Sequence, residues 1–373
     1  MKKFLIYGLT NNWGGVQAIV MTMVKCMSKE HIFDIIVSED ACSYEASYVS
    51  QNVRFIHIPA WGKDRKGFSK ELANLLDANT YDYLWVNGCI MSNKDILSVV
   101  KKHSTARIIT HSHGSSFEAN NFVKKIILLA LHYKNRNYYK QNVDYPCMCS
   151  IKSGEWYYGK DYMKKKHVHY IKNGIEYDKF KFNQETRDDY RGKMKIGDEL
   201  AMFHAGRLTY VKNQKRILRI FADYLSLGKK ARLFIAGEGE LKDELLNLSK
   251  ELNIQDKVVF LGNRNDVSSL YQAMDVMLLP SFHEGFPVTL TEAQASGLPC
   301  LVSDRVSLET NINGSVKFLS IDCEGNHEWV SALKNIAPPN ISSRRDLGCI
   351  VYKEGYDINI VCKEFMNYLG IGF

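Results

Sequence analysis

The 373 residues contain no long hydrophobic run: the longest uninterrupted apolar stretch is Ile126 to Leu131, against the roughly twenty residues a bilayer span needs. The N-terminus, Met1-Lys-Lys-Phe-Leu-Ile-Tyr7, turns polar too early for a secretory signal, so the chain is expected to stay in the cytoplasm. Thiols at metal-binding spacing are missing too. Nine cysteines are scattered, the one close pair is Cys147-Met-Cys149 inside an apolar strand pattern, and neither Cys-x-x-Cys nor clustered histidines appear. Reduced core thiols are expected, and no metal site. There is no low-complexity tract and no helical repeat of fixed period, which excludes a disordered chain and a solenoid.

The length exceeds what one hydrophobic core serves, so two domains are expected. The net charge of +8 is unevenly spread. Between residues 101 and 170 thirteen basic residues, among them Lys124, Lys125, Lys134, Lys164, Lys165 and Lys166, face only Glu118, Asp144, Glu155 and Asp161; thirteen minus four is +9, the whole excess. Within this stretch Asn121 to Lys140 mixes Phe122, Val123, Ile126, Ile127, Leu128 and Leu131 with lysines and tyrosines. Two readings fit: a domain helix with a solvated basic face, or a helix docked on an anionic membrane surface. No nucleic-acid module accompanies the charge, so nucleic acid is not an expected partner.

Short apolar runs alternate with helical patterns along nearly the whole chain. The expected strands are Phe4 to Tyr7, Phe33 to Val37, Val53 to Ile58, Tyr83 to Val86, Arg107 to Thr110 and Pro146 to Cys149. A second series runs Met202 to His204, Arg232 to Ala236, Val258 to Leu261, Val276 to Leu279, Cys300 to Val302 and Val316 to Leu319. Helices are expected at Gly15 to Met27, Lys212 to Leu227, Leu241 to Leu252 and Val267 to Ala273. Such alternation predicts the α/β class, with two doubly wound parallel sheets. The boundary falls near Ile171 to Phe180, and the polar stretch Asn183 to Asp198 reads as linker. The expected domains are 1–172 and 173–356, with a last helix at about 357–373 returning to the first.

The most informative segment is Pro280-Ser-Phe-His-Glu284-Gly-Phe-Pro287-Val-Thr-Leu-Thr-Glu292-Ala-Gln-Ala-Ser-Gly297. An apolar strand ends at Leu279, Glu284-Gly285-Phe286 turns, Pro287 suits the first helical position, and Gly297 suits the residue beyond the helix end. The helix start attracts a phosphate, while Glu284 and Glu292 accept bonds from hydroxyls. Together these describe a nucleotide sugar. Arg207 and Lys212 follow the first strand of the second series, where paired cations suit a diphosphate. Gly8-Leu-Thr-Asn-Asn-Trp-Gly14-Gly15 offers a loop of little steric bulk after the first strand. Gly237-Glu-Gly239 lacks the third glycine of a dinucleotide fingerprint, Lys242 standing there instead, and reads as a tight turn. His111-Ser-His113-Gly114 closes a first-half strand, and one of its imidazoles is a candidate to hydrogen-bond a sugar hydroxyl or a leaving phosphate.

These residues resemble glycosyltransferase family 4. The resemblance rests on Glu284 and Glu292 with seven residues between them, on Gly206-Arg207 with Lys212-Asn213, and on Asn173-Gly174-Ile175. Ala236-Gly237-Glu-Gly239, Val259-Phe-Leu-Gly262 and Ala295-Ser-Gly-Leu-Pro299 complete it in the second half. The first half is thinner, with Gly14-Gly15, His111 to Gly114 and Ser150 to Gly159. The resemblance implies a GT-B fold, two Rossmann-like domains facing across a cleft, the donor held by the second and the acceptor by the first. It also implies retaining transfer from a nucleoside-diphosphate sugar, a UDP-sugar before a GDP-sugar, in surface polysaccharide synthesis. Arg207 and Lys212 would grip the diphosphate, Glu284 and Gly285 would face the donor sugar, and the segment Phe286, Pro287, Val288 and Thr289 would line sugar and phosphate. Glu292 would hold the ribose, Asn263 and Arg264 would shape the choice of base, and Gly14 and Gly15 would let the first domain approach the phosphate. His111 or His113 would serve the reacting groups alongside Glu284. Without an Asp-x-Asp motif no divalent metal is expected, the cations and the helix dipole replacing it. A lipid-linked saccharide on the inner face of the membrane is the expected acceptor. A soluble acceptor, a sugar-nucleotide epimerase on the same scaffold and a scaffold protein with a vestigial pocket are the alternatives.

Overall fold

The computed structural model describes residues 1–38, 40–114, 122–322, 325–336 and 341–372. The chain forms two compact units, one from Met1–Gly174 with Ile358–Phe373, the other from Ile175–Asp357.

In the first unit, seven strands among the described residues are β1 (Lys3–Tyr7), β2 (Ile32–Ser38), β3 (Val53–Ile58), β4 (Tyr83–Gly88), β5 (Arg107–Ser112), β6 (Tyr145–Met148) and β7 (His169–Tyr170). Every pairing is parallel, in the order β3-β2-β1-β4-β5-β6-β7, so the winding reverses between β1 and β4. The two-residue β7 carries no apolar run and left no mark in the sequence. Phe4 anchors the interior, stacked on Phe33 at 5.0 Å and on Tyr83 at 4.9 Å. The C-terminal helix Ile358–Tyr368 lies on this unit: Phe365 meets Trp85 at 5.1 Å, and Tyr83 donates its hydroxyl to Leu369 O at 3.2 Å.

The second unit is β8 (Leu200–Ala205), β9 (Ala231–Ala236), β10 (Val258–Gly262), β11 (Val276–Leu279), β12 (Cys300–Ser303) and β13 (Val316–Leu319), parallel in the order β10-β9-β8-β11-β12-β13. Alternate residues serve opposite faces. Met202, Leu233 and Ile235 enter one apolar cluster, Ala201, Phe203 and Phe234 the other. Both faces are therefore covered, which is what a parallel sheet requires.

The polar stretch expected to be linker is structure instead. Gln184–Lys193 is a helix capped by the Asn183 side chain, and its buried Arg187 donates to the carbonyls of Gln272, Ala273 and Met274 and to Asp275. Arg344, also buried, donates to the carbonyls of Tyr271, Gln272, Met274 and Ser296. Two arginines thus satisfy the open carbonyl end of the helix Val267–Ala273, and the polar stretch is a largely solvated helix that sends one buried arginine inward rather than a linker. No helix among the described residues is long and apolar enough to cross a membrane.

Candidate functional site

The site is built where the winding of the second sheet reverses, between β8 and β11. Their ladder has only two registered pairs, Met202 with Val276 and Phe203 with Met277. At the next position a side chain takes over: His204 Nδ1 donates to Leu278 O at 2.9 Å. That bond fixes the tautomer, so Nε2 accepts from Gln214 Nε2 at 3.1 Å, and the same amide donates to Arg207 O at 2.8 Å. Burial pushes the His204 pKa down to about 4, keeping the ring neutral. A chain of three hydrogen bonds thereby ties the strand leading to Glu284 to the loop carrying Arg207. Neither His204 nor Gln214 was expected from the sequence, since both look like ordinary positions at element ends.

Lys212 Nζ pairs directly with Glu284 Oε1, which also accepts from Ser281 Oγ at 3.1 Å. Both charged side chains are mostly buried. The loop is held by Asn213, whose left-handed backbone (φ +55°) separates a short 3-10 turn, Tyr210–Lys212, from the helix Gln214–Ser226. The helix therefore starts later than the expected Lys212. Asn213 Nδ2 donates to Pro280 O at 3.1 Å, Phe282 N–H donates to Val211 O at 2.9 Å, and Tyr210 stacks on Phe282 at 4.7 Å. Arg207 is exposed, and its guanidinium makes no hydrogen bond or ion pair among the described residues.

Gly237 and Gly239 make this loop possible. A Cβ at Gly237 (φ +132°) would lie 2.1 Å from Gly206 O, and one at Gly239 2.3 Å from Leu208 O. The turn after β9 thus presses on the backbone either side of Arg207. Asn263 and Arg264 follow β10 and are exposed, and Arg264 is engaged in a two-bond pair with Asp266 at 2.8 and 2.6 Å.

After Glu284 the chain enters the helix Val288–Ala295. Pro287 is its N-cap, extended at ψ 121°, one position earlier than expected, and no side chain caps the helix start. The first amides of a helix have no intrahelical acceptor, so this end is open. Beside it the Thr289 hydroxyl is buried with no hydrogen-bond partner among the described residues. Phe286 turns its ring inward onto Tyr356 at 5.7 Å. One turn on, Tyr271 donates its hydroxyl to Glu292 Oε2 at 3.1 Å, and burial pushes the Glu292 carboxyl up to about 7, the tyrosine bond holding it back. Gly297 (φ +61°) ends the helix in the left-handed region, as expected.

The first unit holds the remaining candidates. Gly14 is the extended N-cap of the helix Gly15–Met27, and a Cβ at Gly15 would meet none of the described residues within 4 Å. His111 is fully buried, stacked on Trp85 and 4.0 Å from the His113 ring, with neither nitrogen hydrogen-bonded among the described residues. His113 Nε2 bonds Asn87 Oδ1 at 2.9 Å, and its buried Nδ1 has no partner among the described residues; the residue is 9% exposed. Burial drives both imidazoles down, His113 to about 3, so both are neutral at ordinary pH. Asn121 and Glu118, counted with the basic stretch, lie outside the described residues. Among the described residues no cluster of three His, Cys, Asp or Glu side chains could hold a metal ion.

Residues 186–333 match the family model described as "Glycosyl transferases group 1". Over 367 residues the chain is 27% identical to "Putative glycosyltransferase EpsF" of Bacillus subtilis (strain 168), covering 96% of this chain and 94% of that one. It is 24% identical over 359 residues, 90% of each, to "N-acetylgalactosamine-N,N'-diacetylbacillosaminyl-diphospho-undecaprenol 4-alpha-N-acetylgalactosaminyltransferase" of Campylobacter jejuni. Among solved structures it is similar to Anabaena Alr3699/HepE in complex with UDP, with TM-score 0.77, 15% identity, 99% of this chain and 100% of that one covered. The fold is GT-B, and the matched residues 186–333 lie within the second unit.

Proposed function

We propose that this chain is a retaining glycosyltransferase that moves a sugar from a nucleoside-diphosphate sugar, a UDP-sugar before a GDP-sugar, to a lipid-linked saccharide in surface polysaccharide synthesis. The observation that carries the reading is the Lys212, Glu284 and Ser281 cluster beside the uncapped start of the Val288–Ala295 helix. A lysine ammonium has three N–H donors; one serves Glu284, and two remain for phosphate oxygens. Arg207 adds a second, unpaired cation. As the sugar–phosphate bond breaks, negative charge grows on the departing diphosphate; Lys212, held by Glu284, and the amides of Val288 and Thr289 are already oriented to receive it, and the exposed Arg207 adds its charge. Glu292 faces ribose hydroxyls.

Glu284 is neutralised by Lys212 and hydrogen-bonded by Ser281 through one oxygen, which makes it a weak nucleophile. Retention then proceeds by attack of the acceptor hydroxyl on the face the diphosphate leaves. The departing phosphate takes the acceptor proton, and Glu284 holds sugar hydroxyls through its free Oε2. The His111 and His113 pair is the first unit's candidate for the reacting groups, His113 being the less buried of the two at 9% exposure against 0%. Among the described residues nothing fills the space at Gly15, which leaves room for a phosphate to come close to that backbone. The UDP in the Anabaena complex and the alpha linkage in the Campylobacter transferase's name support donor and stereochemistry respectively.

A membrane-borne acceptor is supported by the helix Phe122–Asn142, which is turned inside out. Its buried residues are His132, Asn135 and Tyr139, while Phe122 is 75% exposed and Val123, Ile126 and Ile127 are more than half exposed. At about 100° per residue those two sets fall on opposite faces. Asn135 and His132 bind the inner face to the backbone of Met91 and Ser92. An outward apolar stripe within a +9 segment suits the surface of an anionic bilayer.

The test is incubation of the protein with UDP-glucose, UDP-galactose and their N-acetylamino forms together with a polyprenyl-diphosphate-linked N-acetylhexosamine. Expected are a product one sugar heavier with an alpha linkage by NMR, and flotation with phosphatidylglycerol vesicles at low salt. No transfer from any donor would sink the transferase reading, and a beta product would sink retention. Failure to float, with Phe122→Ser/Ile126→Ser behaving as wild type, would sink membrane docking alone.

A further inference from the structure

Trp13 is a large aromatic left open on a loop that is otherwise tightly tied. It follows β1 at the carboxyl edge of the first sheet and is 43% exposed. Tyr48 stacks on one of its faces at 5.8 Å and 20°, and Tyr44 meets it edge-on at 5.3 Å and 63°. The two tyrosines thus hold the indole in place and still leave much of it exposed.

The loop around it does not yield. Asn11 Nδ2 donates to Asp40 O at 2.5 Å, Asn11 Oδ1 accepts from Ser38 N–H at 3.2 Å, and Asn11 O accepts from Ser43 N–H at 2.9 Å. Trp13 N–H donates to Ser43 Oγ at 3.2 Å, and Tyr44 donates its hydroxyl to Thr10 O at 2.9 Å. The segments after β1 and β2 are thus stitched into one platform. The Trp13 indole N–H itself finds no acceptor among the described residues.

A single exposed apolar residue is ordinary, but a half-exposed indole that is held by two tyrosine rings, anchored through its backbone and left with a spare donor is a built surface. Its chemistry selects the ligand. One face of a pyranose presents polarised axial C–H groups that the electron-rich indole face attracts, and the ring's hydroxyl rim offers an acceptor to Nε1–H. We propose that Trp13 is the stacking platform for a pyranose ring of the acceptor saccharide. The word acceptor rests on the transferase reading; sugar stacking does not.

Saturation-transfer NMR on the full chain, with the methyl glycosides of glucose, galactose and N-acetylglucosamine as probes, tests the platform directly. The expected result is saturation of axial C–H protons of at least one glycoside by the wild type, retained in Trp13→Phe and lost in Trp13→Leu, with UDP-glucose binding unchanged in both variants. In the transfer assay Trp13→Leu should raise the acceptor KM about tenfold while leaving the donor KM in place, a loss of the size one aromatic contact supplies. No saturation of any probe by the wild type, or equal saturation by Trp13→Leu, overturns the platform. If instead the wild type binds a glycoside through Trp13 but takes up no UDP-sugar, the transferase reading fails and the platform stands.

Discussion

Glu292 offers the sharpest test of the donor site, because its charge state is set by burial and its proposed role needs the charge. With the carboxyl pushed up to about 7, Glu292 is ionised in roughly one molecule in eleven at pH 6 and in ten of eleven at pH 8. A ribose hydroxyl donates to the ionised form. If only that form binds, the affinity for UDP-glucose rises about tenfold from pH 6 to pH 8. UDP-glucose is the right probe, since both its phosphates are esters and carry no titrating proton in this range. Titration calorimetry at three pH values should show the slope in wild type and its loss in Glu292→Gln, which keeps the shape and removes the proton. Stability of the empty protein must move oppositely. The folded pKa lies above the unfolded value, so the contribution is fully present below about pH 4.5 and is lost as pH rises through 7. The difference of about 2.5 units corresponds to at most about 3 kcal/mol. Wild type should therefore lose stability relative to Glu292→Gln between about pH 5 and pH 8 by thermal melting. A flat affinity profile in wild type, or the same slope in the glutamine variant, would refute the assignment of Glu292 to the ribose.

Arg207→Ala and Lys212→Met are each expected to lower donor turnover about a hundredfold, the effect of removing one oriented charge stabiliser; wild-type rates in both would remove the diphosphate grip. Arg344→Met takes a donor from four carbonyls, of which Arg187 still serves Gln272 and Met274, and should lower stability by about 3 kcal/mol in urea unfolding, with a change under about 1 kcal/mol showing that solvent and Arg187 replace the guanidinium. His204→Phe should slow transfer by loosening the Arg207 loop, and adding Gln214→Leu should cost little more, because both break one hydrogen-bonded chain; additive losses would show that the chain is not a unit. Transfer should survive chelator, since lysine, arginine and helix amides supply the charge stabilisation; loss restored by magnesium would contradict this.

Local chemistry alone carried much of this protein into view. Hydrophobic periodicity marked twelve strand segments, because a strand buried on both faces must be apolar along its length, and the Val267–Ala273 and Gly15–Met27 helices were bounded as observed. The glutamate pair, Arg207 with Lys212, and the glycine at the helix end were legible because turn and cap chemistry acts within a few residues. Tertiary structure alone decided the rest. That Lys212 and Glu284, seventy-two positions apart, form an ion pair follows from β8 and β11 lying side by side, which no local signal records. The same adjacency recruits His204 and Gln214, while the fold as a whole buries Arg187 from the polar segment after Asn183 as a donor to a distant helix end and raises the Glu292 pKa by burial, against the Tyr271 bond. Burial and pairing depend on what the fold brings near, so a residue's charge state and partners are properties of the assembled sheet, not of its neighbours in the chain.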